Sequence, residues 1–418
     1  MLTLTQQASL ILWYLVNMSV TSYAKLVAQF QTAEKAIGAS LSDWQALGLH
    51  ASHLERLSDF IKTNRQSEFL TTTLQQLESG DYHIVFYEDS AYPTTLKEIF
   101  DPPPLLFYQG NLQALAMPQL AMVGSRKPSA HADKIAFDMA QFLAFEGLWI
   151  TSGMAEGIDK QAHLGALAQQ DPTKQGRTVA VLGNGIRLCY PKYHHPLKQQ
   201  IIEKGGCVIS EFLPDTPSNR HNFPRRNRLV AGLSLGTLVV EAALQSGSLI
   251  TARYTNEQGK QVFAIPSHID NVNAKGCHQL IREGATLIDH PVQILEDLAV
   301  FKSPFSQNSS FSQNSIKQTM GNFEQGEQKN LENKPLLLSQ TLPMNNQPTD
   351  TPTDNHIALE LPSHLFTLLN QLDWVGQDMD ALVAKTQIDV AILTGYLIEL
   401  ELMGLAMQQG GLYMRCRS

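Results

Sequence analysis

Between residues 82 and 300, short apolar runs alternate with longer stretches whose apolar positions recur every three to four residues. The runs are His83–Tyr87, Leu120–Val123, Leu148–Thr151, Thr178–Leu182, Cys207–Ser210, Leu238–Glu241 and Gln261–Ile265. Strand-length runs separated by helical periods predict an α/β fold, with a doubly wound, mainly parallel sheet covered by helices on both faces. Residues 1–75 read instead as a small helical module of short helices and polar loops. Gln7–Val16 and Tyr23–Phe30 read as helices, and Leu47-Gly48-Leu49 followed by His53–Phe60 suggests a helix–turn–helix piece. In residues 302–355 the pattern is lost. The string F-S-Q-N-S occurs at Phe305–Ser309 and again at Phe311–Ser315 amid Gln, Asn, Ser and Pro, which predicts a flexible linker. Periodicity returns in residues 356–418 as three helices, Leu361–Leu372, Met379–Lys385 and Asp389–Met403, and a hairpin of Leu405–Gln408 and Leu412–Arg415. Three helices and a two-stranded wing predict a winged-helix domain, leaving 76–301 as the α/β domain.

Ligands of doubly wound sheets bind beyond the carboxyl ends of the strands, so the residues just past each strand carry the functional information. Leu120 to Ser129 reads L-A-M-V-G-S-R-K-P-S. A buried strand there opens into Gly124, Ser125, Arg126 and Lys127, and the helix expected at Ala130–Glu146 would turn its positive N-terminal end to the same spot. That predicts a phosphate-recognition loop; the alternative is an ordinary turn with solvated charges. Other strand ends repeat the chemistry. Ser152-Gly153-Met154-Ala155-Glu156-Gly157-Ile158-Asp159 comes after one run, Gly183-Asn184-Gly185 after another, and Ser246-Gly247-Ser248 after a third. Small and hydroxylated residues at so many carboxyl ends predict backbone N–H groups lining one shared crevice.

The strongest chemical signal is F-P-R-R-N-R at Phe223–Arg228, read as the end of a long loop, with Arg220 and His221 just upstream. Arginine forks match phosphate oxygens, Asn227 adds neutral donors, and Phe223 can stack on a base. The competing explanation is a structural arginine network satisfying carboxylates such as Glu211 and Glu241. The remaining signals are weaker. Asp159 and His163 share an i, i+4 face, but no third metal ligand accompanies them, which favours capping by Asp159. Gly183-Asn184-Gly185 lacks the third glycine of a dinucleotide fingerprint, and no G-x-x-x-x-G-K-[ST] string occurs. Ser246–Ser248 with Thr251 fits an anion cradle and a capped helix start equally well. His278 and Arg282 in Gly276–Ala285 read as structural. Glu241 has the position of a hydrolase carboxylate, without an evident acid–base partner.

Composition narrows the classes. The net charge of −8 over 418 residues places any polyanion site in a local concentration of cations. Cys189, Cys207, Cys277 and Cys416 are scattered without C-x-x-C spacing, which argues against a zinc site or disulfide framework and suits a reducing cytoplasm. No run is long and apolar enough for a membrane span, and M-L-T-L-T-Q-Q lacks the basic start of a signal peptide, so Ala8 to Val20 reads as a core helix. In the winged module Glu360, Asp373, Asp378, Asp380, Asp389, Glu399 and Glu401 outnumber Lys385, Arg415 and Arg417. Its expected recognition helix, Asp389–Met403, has no Lys or Arg, which favours a protein contact over duplex DNA.

Together, V-G-S-R (123–126), S-G-M-A-E-G-I-D with A-H (152–163), Tyr190-Pro191, S-E (210–211), F-P-x-R-N-R-L-V-A-G-L-S (223–234), V-E-A (240–242), S-G-S-L-I-T-A (246–252) and G-C-H-Q-L-I-R-E-G-A (276–285) resemble the DNA-processing protein A family, DprA or Smf. The resemblance spans about Asp81 to Leu298. It implies an extended Rossmann-like core that dimerises, flanked by an N-terminal SAM-like helical domain and the winged helix. It also implies a non-catalytic function without cofactor: binding and protecting incoming single-stranded DNA in natural transformation and loading the RecA recombinase. Arg126 and the arginines of Phe223–Arg228 become the phosphate binders. With the strand-end loops, the candidate DNA-binding residues are Gly124, Ser125, Arg126, Lys127, Ser152, Gly153, Lys192, Phe223, Arg225, Arg226, Asn227, Arg228, Ser246, Gly247 and Ser248. The chain departs from the family pattern at Ala130-His131-Ala132, where tyrosine-glycine is common, and at Pro266-Ser267, where proline-glycine is common. A related class, the phosphoribohydrolases similar to lysine-decarboxylase-like proteins, is the alternative. Gly236-Thr237 and Glu241 echo its P-G-G-x-G-T-x-x-E string, with the glutamate one residue too far and P-G-G missing.

Overall fold

The strands are β1 (His83–Phe86), β2 (Leu105–Gly110), β3 (Gln119–Val123), β4 (Trp149–Ser152), β5 (Thr178–Val181), β6 (Cys207–Ser210), β7 (Gly236–Val239), β8 (Gln261–Ala264) and β9 (Thr286–Leu287). They form one sheet in the order β1-β2-β6-β5-β4-β3-β7-β8-β9. From β6 to β9 all neighbours are parallel, whereas β2 runs antiparallel to both β1 and β6. β3 to β7 are buried at every position, as expected of central parallel strands covered on both faces. The computed structural model describes residues 2–63, 65–169, 177–298, 362–372, 377–386, 388–402, 405–409 and 412–415. The linker expected at 302–355 lies outside the described residues.

Helices α1 (Leu4–Leu15), α2 (Val20–Phe30), α3 (Ala33–Gly38), α4 (Leu41–Ala46), α5 (Ala51–Thr63) and α6 (Arg65–Glu78) precede the sheet. The later helices are α7 (Thr94–Lys97), α8 (Ala130–Phe145), α9 (Ile158–Leu167), α10 (His195–Glu203), α11 (Asn222–Leu233), α12 (Ser248–Glu257), α13 (Lys275–Arg282) and α14 (Pro291–Asp297). The alternation of side chains along β3 separates the two layers. Leu120 and Met122 pack with α8, α9 and α14, whereas Ala121 and Val123 pack with residues of α11, α12 and α13. The result is the doubly wound α/β fold expected from the periodicity, Rossmann-like as the family resemblance implies.

Three local expectations need correction. β2 and the two-residue β9 are not among the expected runs; β2 comes directly after Pro102-Pro103-Pro104, and the prolines masked its apolar run as a loop. β7 spans Gly236–Val239 rather than Leu238–Glu241, because Gly236 and Thr237 look like turn residues yet pair with Gln261 and Val262. Glu241 therefore lies beyond the strand end. Phe223–Arg228 is helical, not loop: it forms the first turns of α11. Pro224 is tolerated there because the first N–H groups of a helix have no intrahelical partner.

The N-terminal helices share an apolar cluster with the sheet. Trp13, Leu10 and Trp44 belong to the same buried group as Tyr82, Phe107, Leu182, Val208 and Phe212. Polar ties lock the seam: Trp13 Nε1 donates to the Glu211 carbonyl at 2.9 Å and Arg225 donates to the Met18 carbonyl. Arg225 also lies over the rings of Trp13 and Phe212.

Among the described residues of the C-terminal unit are α15 (Ser363–Gln371), α16 (Met379–Thr386), α17 (Val390–Leu402) and the hairpin of β10 (Ala406–Gln409) and β11 (Leu412–Arg415). Leu365, Leu368, Leu382, Leu393, Leu397 and Leu400 form its core, and Gln377 bridges to Tyr413 at the wing. This is a winged helix. α17 carries no Lys or Arg.

Glu211 joins the sheet to α11 and the N-terminal helices. Its buried carboxylate accepts from Arg228 and, at 2.9 Å, from Arg225, while Arg228 also reaches Asp101 at 3.1 Å. Removing one partner of a buried pair strands the other charge. Glu211→Ala is expected to lower stability by about 3–5 kcal/mol, read as a shift of the urea midpoint; an unshifted midpoint would contradict this role.

Candidate nucleic-acid interface

The loops after β3, β4 and β5 meet the N-terminal turn of α11 around a cleft of about 170 Å³. Arg126, Gly153, Ala155, Glu156, Gly183, Tyr190, Pro191, Phe223 and Arg226 line it. The cleft thus lies beyond the strands' carboxyl ends, on the β4–β5 side of the point where the winding reverses at β3 and β7.

Arg226 forms its floor. The residue is 4% exposed and donates to the Gly153 carbonyl at 2.6 Å, to the Val181 carbonyl, and to Asn227 Oδ1 at 3.1 Å. Its guanidinium lies flat on Gly153: a Cβ built there would stand 2.4 Å from both terminal nitrogens. Only glycine permits that approach. Asp159, buried at the start of α9, faces the same charge and accepts from the Ala155 amide at 3.2 Å. Burial raises the Asp159 carboxyl above its usual range, and the nearby Arg226 charge partly offsets this. Burial likewise pushes Arg226 down to about 10, against the pull of Asp159. The guanidinium is therefore a charged strut between the ends of β4 and β5.

Phe223 stands above it. The ring covers Gly183, where a built Cβ would lie 2.7 Å from the Phe223 ring, and Tyr190 approaches it at 5.5 Å with a 42° tilt. Arg126 is exposed, with its guanidinium 5.4 Å from the centre of the Phe223 ring. It makes no ion pair among the described residues, so its donors face solvent at the cleft mouth. Glu156 opposes this charge across the rim and accepts from the Tyr193 hydroxyl.

The other candidate residues take different places. Gly124 lies under the loop, and Ser248 Oγ donates to its carbonyl at 2.6 Å. Ser125 accepts the Lys127 amide at 3.1 Å, and Lys127 itself is exposed. Ser152 turns inward to the Met122 carbonyl, at 2.6 Å. Asn227 links α11 to the start of α12 through the Gly247 carbonyl, at 3.3 Å, and Ser246 bonds Ser248. Lys192 is exposed on the turn just past Tyr190 and Pro191. Arg225 and Arg228 are held by Glu211, which is the structural network weighed against phosphate binding. Neither lines the cleft.

The positive end of α8 also differs from expectation. Glu241 accepts the Ser129 amide at 3.1 Å and its hydroxyl at 2.8 Å, so an internal carboxylate occupies the place reserved for a bound phosphate. Tyr190, Pro191, Gly183, Ala155 and Glu156 were absent from the candidate set. Tyr190-Pro191 and Gly183 were visible as a motif and a strand end, but nothing in their spacing shows that they meet Phe223.

A model of the family described as DNA recombination-mediator protein A matches residues 83–299, and one of the DprA winged helix domain matches 357–411. The chain belongs to the recombination-mediator protein A family. It is 42% identical to Protein Smf of Escherichia coli (strain K12) over 254 residues, covering 61% of this chain and 65% of that protein. It is 44% identical to DNA processing protein DprA of Streptococcus pneumoniae over 209 residues, covering 50% of this chain and 72% of that one. The X-ray structure of DprA from Streptococcus pneumoniae superposes with a TM-score of 0.59 at 33% identity, over 70% of this chain and 97% of that one. The chain thus spans just under two thirds of the length of the Escherichia coli relative. Among the described residues no helix is long and apolar enough to cross a membrane.

Under the floor of this family member, His163 on α9 meets Thr178 Oγ1 at 2.7 Å, and that hydroxyl donates to the Ile150 carbonyl. The single hydroxyl proton is committed, so His163 must donate from Nδ1. Burial pushes the imidazole down to about 3, with the His194 and Arg226 neighbours adding to the effect. The unfolded chain takes up this proton near the ordinary pKa of about 6.5, whereas the native state stays neutral. Stability is therefore fully present above about 6.5 and lost as pH falls toward about 3. A His163→Gln variant is expected to flatten that part of the stability–pH curve measured by urea unfolding. A parallel curve would contradict the assignment.

Proposed function

We propose that the cleft grips the backbone of single-stranded DNA and that the chain acts as a non-catalytic recombination mediator. One observation carries this most directly: an exposed, unpaired guanidinium, Arg126, stands beside an aromatic ring, Phe223, which is itself propped by Tyr190 and Gly183. A cation beside a stacking platform matches a single strand, along which phosphates and base faces alternate. Arg226 deepens the positive potential of the floor without spending its donors on ligand. Membership of a family described as recombination mediators supports the same assignment. The engagement of Glu241 at the start of α8 weighs against its use as a hydrolase carboxylate.

From the family resemblance we further assign protection of incoming DNA in natural transformation, loading of the RecA recombinase, a homodimeric state and a cytoplasmic location. The acidic winged helix takes a protein-contact role, because α17 has no cation with which to neutralise a duplex.

The test is a single-strand titration across salt concentrations. Arg126→Ala is expected to weaken binding and to make the slope of log K against log salt shallower by about 0.7, the value for one lost phosphate contact on a single strand. Phe223→Ala is expected to cost about 1–3 kcal/mol with the slope unchanged, because stacking releases no counterion. Unchanged affinity in both variants would overturn the proposed cleft.

A further inference from the structure

Lys198 sits on α10 with 3% of its surface exposed, and among the described residues no carboxylate pairs with it. A buried ammonium without a counter-ion needs carbonyl acceptors. It finds them in the loop at 183–191: Nζ donates to the Ile186 carbonyl, with the Leu188 carbonyl 3.5 Å away. That loop supplies two walls of the cleft. Gly183, at one end, lies under the Phe223 ring, and Tyr190, near the other, leans on the same ring. Between them the chain bends back on itself, with the Leu188 amide donating to the Gly185 carbonyl at 3.0 Å and the Arg187 amide to the Pro214 carbonyl at 3.1 Å.

We propose that Lys198 is a positioning residue for the cleft, its ammonium gathering the Ile186 and Leu188 carbonyls so that Gly183 and Tyr190 hold Phe223 in place. This rests on the single-strand function proposed above. Lys198 touches no part of the cleft itself, so its influence passes through the loop. Nothing in the sequence singles it out, because a lysine on an amphipathic helix ordinarily points to water.

The clamp also has a pH limit. The titratable groups sensed by Lys198 are the Cys189 thiol, in the same loop, and the Asp81 carboxylate, which is ion-paired to Arg187 at 2.6 Å. Their pull toward the charged form is smaller than the effect of burial, which brings the ammonium down to about 8. Below that pH both carbonyls face a charged donor. Above it the amine is neutral, the hydrogen bonds weaken and the loop is freed to drift from Phe223.

The experiment measures binding of a labelled oligo(dA), a strand whose bases do not titrate in the range used, from pH 6.5 to 9, with the melting temperature recorded at each pH. The intact chain is expected to lose roughly fivefold to tenfold in affinity across this range, the size of one weakened hydrogen-bond anchor. Lys198→Arg, which keeps its charge, is expected to bind with no such loss. Lys198→Met is expected to bind weakly at every pH. Lys260→Arg is the control: Lys260 also titrates near about 8 by burial, but it caps the far end of α11 through the Ala231 and Gly232 carbonyls, so that variant keeps the intact chain's profile. Lys198→Met binding as the intact chain does, or Lys198→Arg retaining its pH dependence, would overturn the proposal. Should Lys198→Met fail to fold, the Lys198→Arg profile decides alone. Arg126→Ala separates the two levels. If it binds undiminished, the proposed cleft fails; if it weakens while Lys198→Met binds as the intact chain does, only the positioning role fails.

Discussion

A guanidinium buried between two strand ends sets the geometry of this site. Arg226 loses almost all of its hydration, a large cost that only close, fully used acceptors offset. The carbonyls of Gly153 and Val181 supply them from the ends of β4 and β5, and Asp159 supplies the opposing charge from the start of α9. Each partner is thereby constrained. Gly153 must lack a side chain, α9 must begin with its carboxylate turned inward, and α11 must enter the sheet at the angle that delivers Arg226 to its slot. Phe223 lies one helical turn before Arg226 on α11, so the same constraint fixes the ring above the cleft.

The arginines of one short helix segment divide the labour by depth. Arg228 and Arg225 close on Glu211 and tie the sheet to Asp101 and to the N-terminal helices. Arg226 shapes the floor. Arg126, arriving from β3, remains free to meet a ligand. A cluster that looks in sequence like a row of equivalent phosphate forks is in three dimensions mostly scaffold. The difference arises because a helix rotates each residue by about 100°, so Arg225, Arg226 and Arg228 cannot all face one groove. Treating Phe223–Arg228 as a loop hid that rotation.

The doubly wound sheet was legible because buried parallel strands read as continuous apolar runs, and Leu120–Val123, Thr178–Leu182 and Cys207–Ser210 all do so. Glycine at Gly124, Gly153 and Gly183 marked the strand ends for the same local reason. β2 and the start of β7 were not legible, since Pro104 and Gly236 are turn residues by composition and strand neighbours only through tertiary pairing. The partnerships that decide roles are all long-range. Whether Ser152 faces a ligand or the Met122 carbonyl, and whether Glu241 is a reactive acid or a support for Ser129, depends on residues that periodicity along the chain does not bring together.

Glu241 bears on the kind of grip the cleft can exert. With its carboxylate at the start of α8, the helix dipole after β3 is already answered, and the positive potential comes from side chains instead. Of these, among the described residues, only Arg126 is both exposed and in the cleft, and Glu156 limits the field on the opposite rim. Such a site holds any one phosphate weakly and gains strength by repetition along a strand, supported by ring stacking that does not depend on base identity. A nucleotide-hydrolysing pocket needs the opposite arrangement, with one phosphate fixed tightly and a free acid nearby. Under the proposed function the chain's net charge of −8 has the same consequence, because away from local cations such a surface would repel polyanions and confine a strand to the cleft and its margins.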